Sequence, residues 1–389
     1  MDFTRSDAET EAASLAAQVL SMATKDQSPA AAAPGASSAA DYDRSTWREL
    51  ARTGLLSLAL PAELGGEGLG IQATAAVLTE AGRAAARIPA LATLALGVLP
   101  ILHCDDTDVQ RELLAGVGTG DAILTAAVRE PSDPMPAVPA TVATLTASRG
   151  ACPGTVSGVK LGVPYAASAG WLLVPASVSA ADAVAGNGAG GRASGSARTV
   201  VVVVEPDADG LSCQRSFSSA GLPEYTLRLE AAPVRHVLTG CTPGDLYRYA
   251  LAGACAVADG AVAAALQLTT EHVRTRHQFG KPLASFQSVA QQIADVYATA
   301  RTLHLATIAA CWRLDAGLDA GADCDTAAYW LATYGPVALR TCHHLHGGLG
   351  MDVSYPLARY SALITDLVTL AGGADAALGR LGAREMADT

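Results

Sequence analysis

Aromatic side chains are scarce in this 389-residue sequence, where Phe, Trp and Tyr together supply 5%. Bulky stacked rings are therefore excluded as the main source of packing. Half of the residues are apolar all the same, and Ala and Gly carry much of that share. Closely approaching helices and small-residue loops are the expected result. Charge is scarce too, at 16%, and leans acidic, with 26 Lys and Arg against 37 Asp and Glu for a net of −11. No basic run occurs, so a face that could hold nucleic acid through its phosphates is missing. The eight cysteines, at positions 104, 152, 213, 241, 255, 311, 324 and 342, form no C-x-x-C pair. That excludes a zinc ribbon and a thioredoxin-like motif and reads as reduced thiols in a cytoplasmic protein. Long apolar runs are absent as well. The most apolar stretch, Ile88 to Leu102, carries Pro89 and Pro100 and falls short of the roughly 18 residues a membrane span requires. The polar, mixed-charge Met1–Asp7 is not a signal peptide. No membrane span is expected.

What is present divides into three textures. Residues 1–118 read as an N-terminal all-helical domain, with 26–42 (DQSPAAAAPGASSAADY) as a flexible, proline-punctuated linker. Residues 119–238 read as a central β domain. Its short β-branched or alternating runs lie at 123–128, 142–147, 158–163, 171–174, 199–204 and 225–229, separated by Gly, Pro and Ser. Val200–Val204 is five valines in a row, as a strand buried on both faces would be. Low-complexity residues 177–196 read as a flexible insertion between two strands. Residues 239–389 read as a C-terminal helical bundle. There Phe286, Val289, Ile293, Val296, Ala300 and Leu303 form one apolar stripe, and Leu246–Leu268 is small and apolar almost all round. The fold class is α+β, with an N-terminal helical domain, a central antiparallel β-barrel or sandwich and a C-terminal four-helix bundle.

Two segments of the bundle are more specific than composition. One is Arg274-Thr275-Arg276-His277-Gln278-Phe279-Gly280-Lys281-Pro282-Leu283, followed by Phe286-Gln287. The other is His343-His344-Leu345-His346-Gly347-Gly348-Leu349-Gly350-Met351-Asp352, followed by Tyr355-Pro356-Leu357 and Arg359-Tyr360. Taken singly, an arginine at a helix end balances the helix dipole and Gly-Gly marks a turn. The three histidines, one and two residues apart, do not share a helix face, so no metal site is read from them. With the helix–barrel–helix order, the two segments together resemble the acyl-CoA dehydrogenase family of flavoproteins. Leu50–Gly70 is similar to that family's N-terminal helix-to-loop segment.

The resemblance implies FAD as cofactor, an acyl-CoA substrate, α,β-desaturation as the reaction and an electron-transfer acceptor. A guanidinium fork suits the FAD pyrophosphate, Phe279 offers a ring, and Gly347-Gly348 lets backbone approach. It assigns Arg276, Phe279, Gly347, Gly348 and Gly350, with Gln287 as a weaker member, to a cofactor reached across a subunit interface. His344 aligns with a glutamine that hydrogen-bonds FAD in the family.

The chain departs from that pattern where the chemistry lies. Removing the α-proton of a thioester requires a base, best a carboxylate with raised pKa, and the family supplies a glutamate at one of two positions. Here Ala371 and Tyr247 stand there, and a tyrosine of ordinary pKa, about 10, takes no proton at neutral pH. The Trp-Ile-Thr stretch that lies against the flavin ring aligns with Gly162-Val163-Pro164, and the flavin-bonding threonine before Glu-Pro aligns with Arg129. The catalytic residue is therefore not identified. The motif His-Gly-Gly-x-Gly-x-Asp followed by Tyr-Pro-Leu-x-Arg-Tyr is similar to the glutamate-lacking subunits of actinobacterial α2β2 dehydrogenases acting on steroid-CoA thioesters. The expectation is a subunit that contributes the ADP side of a shared FAD site to a homologous, glutamate-bearing partner in a heterotetramer. Two alternatives stand beside it. One is a homo-oligomeric dehydrogenase whose base is displaced to Asp366 or Asp245, and the other is a non-catalytic scaffold that binds acyl-CoA.

Overall fold

The structure is a computed structural model and describes residues 6–26, 41–146, 153–179 and 198–387. The expected linker and insertion lie outside the described residues, apart from their flanks. Helices α1 (Asp7–Asp26), α2 (Arg44–Arg52) and α3 (Ile71–Arg83) open the fold, followed by a π-helical run at Leu91–Val98, α4 (Leu99–Leu102) and α5 (Thr107–Leu114). The α2 start is capped by Asp43, whose carboxylate accepts from the Thr46 amide at 3.0 Å. Trp47, 1% exposed, donates its indole N–H to the Gly120 carbonyl.

The sheet comprises β1 (Leu124–Ala126), β2 (Val142–Leu145), β3 (Gly154–Pro164), β4 (Trp171–Val178), β5 (Thr199–Val204), β6 (Leu211–Phe217), β7 (Pro223–Val234) and β8 (His236–Val237). Its order is β6-β7-β3-β2-β4-β5-β8, with β1 added on β4. The expected antiparallel pairing dominates, but β1 and β2 both run parallel to β4, so the sheet is mixed. Alternation explains the valine run of β5. Val200, Val202 and Val204 point into the core enclosed by the sheet, while Val201 and Val203 join the core shared with the helices. Inside the sheet the Lys160 ammonium, 0% exposed, meets Glu130 Oε1 at 2.7 Å and the Pro175 carbonyl at 2.8 Å. Glu130 also accepts from the Ala140 and Thr141 amides and the Thr141 hydroxyl.

Four long helices complete the chain: α6 (Pro243–Thr275), α7 (Gln287–Asp315), α8 (Gly321–His346) and α9 (Leu357–Ala371). A short hairpin, β9 (His277–Gln278) and β10 (Lys281–Pro282), links the first two, and α10 (Gly373–Ala387) follows the last. The small residues of α6 let it touch α3 backbone to backbone. A Cβ on Gly82 would fall 1.9 Å from the Val257 carbonyl oxygen, and one on Gly260 would fall 1.8 Å from that of Thr79. By length and composition alone Pro243–Thr275 and Leu357–Met386 are each long and apolar enough to cross a bilayer, although the expected apolar stretch 88–102 is not. The apolar window of the first is 89% buried inside the bundle.

Candidate functional site

The first motif segment begins where α6 stops. Arg276 is the C-cap residue, its amide donating to the His272 carbonyl at 2.8 Å. Its guanidinium is exposed and has no hydrogen-bond or ion-pair partner among the described residues. Phe279 and Gly280 form the two-residue turn between β9 and β10, with φ of 53° and 78°. A left-handed phenylalanine is an uncommon choice where a glycine or asparagine would turn the chain without strain. Its ring is 91% exposed, held only edge-on to Phe286 at 6.2 Å. The Lys281 ammonium covers the Phe286 ring at 4.3 Å. Gln287, the first residue of α7, is exposed.

The second segment closes α8. His346, 5% exposed, is bonded through Nδ1 to the Cys342 carbonyl and stacks on His272 with ring centroids 4.4 Å apart. Burial pulls both imidazoles below their usual pKa, so they stack as neutral rings. This pair joins the ends of α6 and α8, which lead into the Arg276 hairpin and into Gly347–Gly350. His343 bonds the Gly350 carbonyl at 2.7 Å and the Ser361 hydroxyl at 2.6 Å. The three glycines differ. Gly350 has an internal reason, since its Cβ would meet the His343 carbonyl oxygen at 2.7 Å. Gly347 needs its φ of 58°. Gly348 has neither constraint, with nothing among the described residues within 4 Å of a Cβ. The His344 side chain is exposed beside them.

The positions where a base was sought are occupied differently. Ala371 is wholly buried, and Tyr247 is 7% exposed with a hydroxyl lacking a partner among the described residues. Burial pushes that hydroxyl's pKa further up. Asp366 accepts from the Ser219 and Ala220 amides at 2.7 and 2.9 Å, clipping the β6–β7 turn to α9. Asp245 forms a capping box with Thr242 and an ion pair with Arg248 at 2.5 Å. Burial alone would raise the Asp245 pKa, but the Thr242 bonds and the Arg248 charge hold it below the carboxylate range. Both aspartates thus have structural work that explains them.

Sequence reasoning missed one acidic group. Glu224, at the start of β7, lines a cavity of about 80 Å³ between residues 81–92, the end of β3 and α9. Burial, and then the Asp366 charge, push its carboxyl up to about 7 against the opposing pull of Arg129. The Arg129 guanidinium lies over Gly162, where a Cβ would fall 2.5 Å from its NH1 atom and 3.6 Å from Glu224 Oε2. The chain's own arginine therefore sits over the Gly162 end of the Gly162–Pro164 edge. Only the three-dimensional approach of β3, β7 and α9 reveals this, since Glu224 in sequence is an acid leading a strand.

Residues 9–121 match the acyl-CoA dehydrogenase N-terminal domain and residues 248–387 the acyl-CoA dehydrogenase C-terminal domain. The acyl-CoA dehydrogenase FadE28 of Mycobacterium tuberculosis is 42% identical over 341 residues, covering 87% of this chain and 92% of the relative. The chain belongs to the acyl-CoA dehydrogenase family and is an oxidoreductase of that family acting on CH–CH bonds. Among solved structures it is similar to the ChsE4–ChsE5 complex from M. tuberculosis, with a TM-score of 0.86 and 27% identity over 100% of both chains. The Tcur3481–Tcur3483 steroid ACAD superposes with a TM-score of 0.81 at 30% identity, over 98% of this chain and 99% of that one.

Proposed function

We propose that this chain is the base-less subunit of a heteromeric acyl-CoA dehydrogenase. It holds the ADP side of FAD across an interface for a homologous partner that owns the glutamate, in the α,β-desaturation of a CoA thioester. The observation that carries this reading is a contrast between two faces. The Arg276–Phe279–Gly348 face is exposed, and the Arg276 guanidinium has no hydrogen-bond or ion-pair partner among the described residues, whereas Arg129 lies over Gly162 at the edge against which a flavin ring would lie. Arg276 would clamp the pyrophosphate, Phe279 would cover an apolar part of the cofactor, and Gly347 and Gly348 would admit it closely, with Gln287 and His344 at the margin. Bound FAD would supply the hydride acceptor. This chain's part is to bind and orient, because Ala371 and Tyr247 move no proton at neutral pH. Likeness to FadE28 and to two heteromeric complexes, one titled a steroid enzyme, supports a partner subunit and a steroid-derived acyl group.

Co-expression with candidate partners tests this through FAD content and dye-coupled turnover. FAD retained only by the assembly, and lost with Arg276→Lys, is expected. Full turnover from the chain alone would refute it. One observation favours a second reading, a homo-oligomer with a displaced base: Glu224 has the raised pKa and apolar setting that such a base requires. In that case Glu224→Gln would abolish turnover by the chain alone, whereas the first reading expects none to abolish.

A further inference from the structure

His272 and His346 each stand directly behind one of the two motif segments. The His272 carbonyl accepts the Arg276 amide at 2.8 Å, and the Gly347–Met351 turn starts from His346. Their rings stack across the two helix ends, 22° from parallel. The Cys342 carbonyl can only accept, so His346 Nδ1 carries the hydrogen of that bond and Nε2 is a bare acceptor. Nε2 is buried with no hydrogen-bond partner among the described residues. A second proton on His346 would put an N–H where no acceptor stands, and a positive charge against the face of His272. The surroundings add to that cost. His272 feels Arg276 on its own helix and His346 feels His343 on its own. Tyr355, from the segment leading to α9, lies tilted against His346 with ring centroids 5.2 Å apart. Burial raises the Cys342 thiol pKa, so it stays neutral. Among the described residues no carboxylate acts on either ring.

We propose that this stack is a proton-controlled latch: as neutral rings His272 and His346 hold the ends of α6 and α8 together, and protonation of either parts them and frees the Arg276 hairpin and the Gly347–Met351 turn. A histidine whose pKa is depressed in the closed form binds its proton more readily in the open one. The latch is therefore closed above the ordinary histidine value of 6.5 and opens progressively as pH falls below it. With a closed ring that takes no proton, the open fraction rises roughly tenfold per ring between about pH 7.5 and about pH 5.5, or roughly 100-fold for both. His343 is not part of the device. Its Nδ1 donates to the Gly350 carbonyl and its Nε2 meets the Ser361 hydroxyl, which donates to a neutral ring and accepts from a charged one. Both of its bonds thus survive protonation. On the reading that this face holds FAD, cofactor would be kept at neutral pH and released in acid, but the latch itself does not depend on that reading.

Two measurements on the full chain test it: a pH titration of isotope-labelled histidines by NMR, and hydrogen exchange of residues 277–281 and 347–351 at about pH 7.5 and about pH 5.5, corrected for the intrinsic rate at each pH. Two imidazoles titrating below 6.5 are expected, their signals assigned by loss in His272→Phe and in His346→Phe. Exchange from both segments should be at least about tenfold greater at the lower pH. In the double variant, with flat rings that carry no charge, that difference should vanish. The His272 side chain makes no hydrogen bond among the described residues, so His272→Phe alone, with a clearly reduced pH effect, decides the matter should the double variant not fold. Either ring titrating at or above 6.5, exchange that does not change with pH, or an undiminished pH effect in His272→Phe would each overturn the latch. FAD content of the co-expressed assembly at the same two pH values separates the readings. FAD kept in acid while the segments exchange freely refutes the cofactor assignment and leaves the latch standing. Segments protected at both pH values refute the latch and leave the assignment standing.

Discussion

Phe279 offers the sharpest separation of stability from cofactor binding. In the folded chain it holds φ of 53° with its ring 91% exposed. The left-handed conformation costs a non-glycine residue about 1–2 kcal/mol. Phe279→Gly removes that cost but returns up to about 1 kcal/mol through extra freedom in the unfolded chain. It also gives up the edge contact with Phe286, about 0.5–1.5 kcal/mol, so the isolated chain should melt within about 1.5 kcal/mol of the unsubstituted protein. Phe279→Ala keeps the strain and loses only the edge contact with Phe286, worth about 0.5–1.5 kcal/mol. In the assembled protein the balance differs. Covering an aromatic ring removes on the order of 150–200 Å² from water, roughly 4–5 kcal/mol at about 25 cal/mol per Å². Ordering and association costs cancel much of it. A net loss of about 1–3 kcal/mol remains, a roughly 5- to 150-fold weaker FAD affinity in both variants. Thermal melts of the lone chain and fluorescence titration of FAD into the co-expressed assembly read the two effects. A lone-chain loss above about 2 kcal/mol, or unchanged FAD affinity, would refute the reasoning.

Three further outcomes follow from other elements. Glu130→Ala strands the wholly buried Lys160 ammonium and should cost about 3–5 kcal/mol in denaturant unfolding. The pair replacement Glu130→Leu with Lys160→Met should recover most of it, and a single-variant cost under about 1 kcal/mol would contradict the burial. Glu224→Gln should stabilise at about pH 8 and not at about pH 4. A carboxyl raised from 4.5 to about 7 contributes stability below the unfolded value and loses it as pH rises through the folded one. After allowance for partial exposure the gain is roughly 1–3 kcal/mol, and equal melting shifts at both pH values would rule it out. Gly260→Ala should destabilise by more than about 2 kcal/mol, because its Cβ would collide with the Thr79 carbonyl at 1.8 Å; a neutral melt would show that α3 and α6 part easily.

What the sequence disclosed depended on whether a feature was local. The valines of β5 and the small, apolar length of α6 announce burial on all sides, and they are buried. The strand β6, Leu211–Phe217, escaped notice because it is mostly exposed and polar, an edge strand with no alternation to detect. The parallel pairings of β1 and β2 with β4 depend on how distant segments return, which no window of sequence contains. At the site, the Arg276 and Gly347–Gly350 segments were visible as motifs, and the stacking of His272 on His346 behind them was not. Asp366 and Asp245 drew attention as acids near vacant positions, yet their hydrogen bonds were set by a turn more than a hundred residues away and by a helix cap. Glu224 acquires its raised pKa from neighbours on β3 and α9 that sequence distance conceals.

The arginine lying across Gly162 has an evolutionary corollary under the proposed division of labour. Restoring an acid at Ala371 alone would leave it facing an edge that still carries Arg129. Reopening that edge alone would admit a ring with nothing beside it to take a proton. Each reversion is worthless without the other, so a lineage that has accumulated both changes cannot return by single steps. Dependence on a sister subunit then persists as a one-way trap, whether or not the assembly outperforms a self-sufficient ancestor.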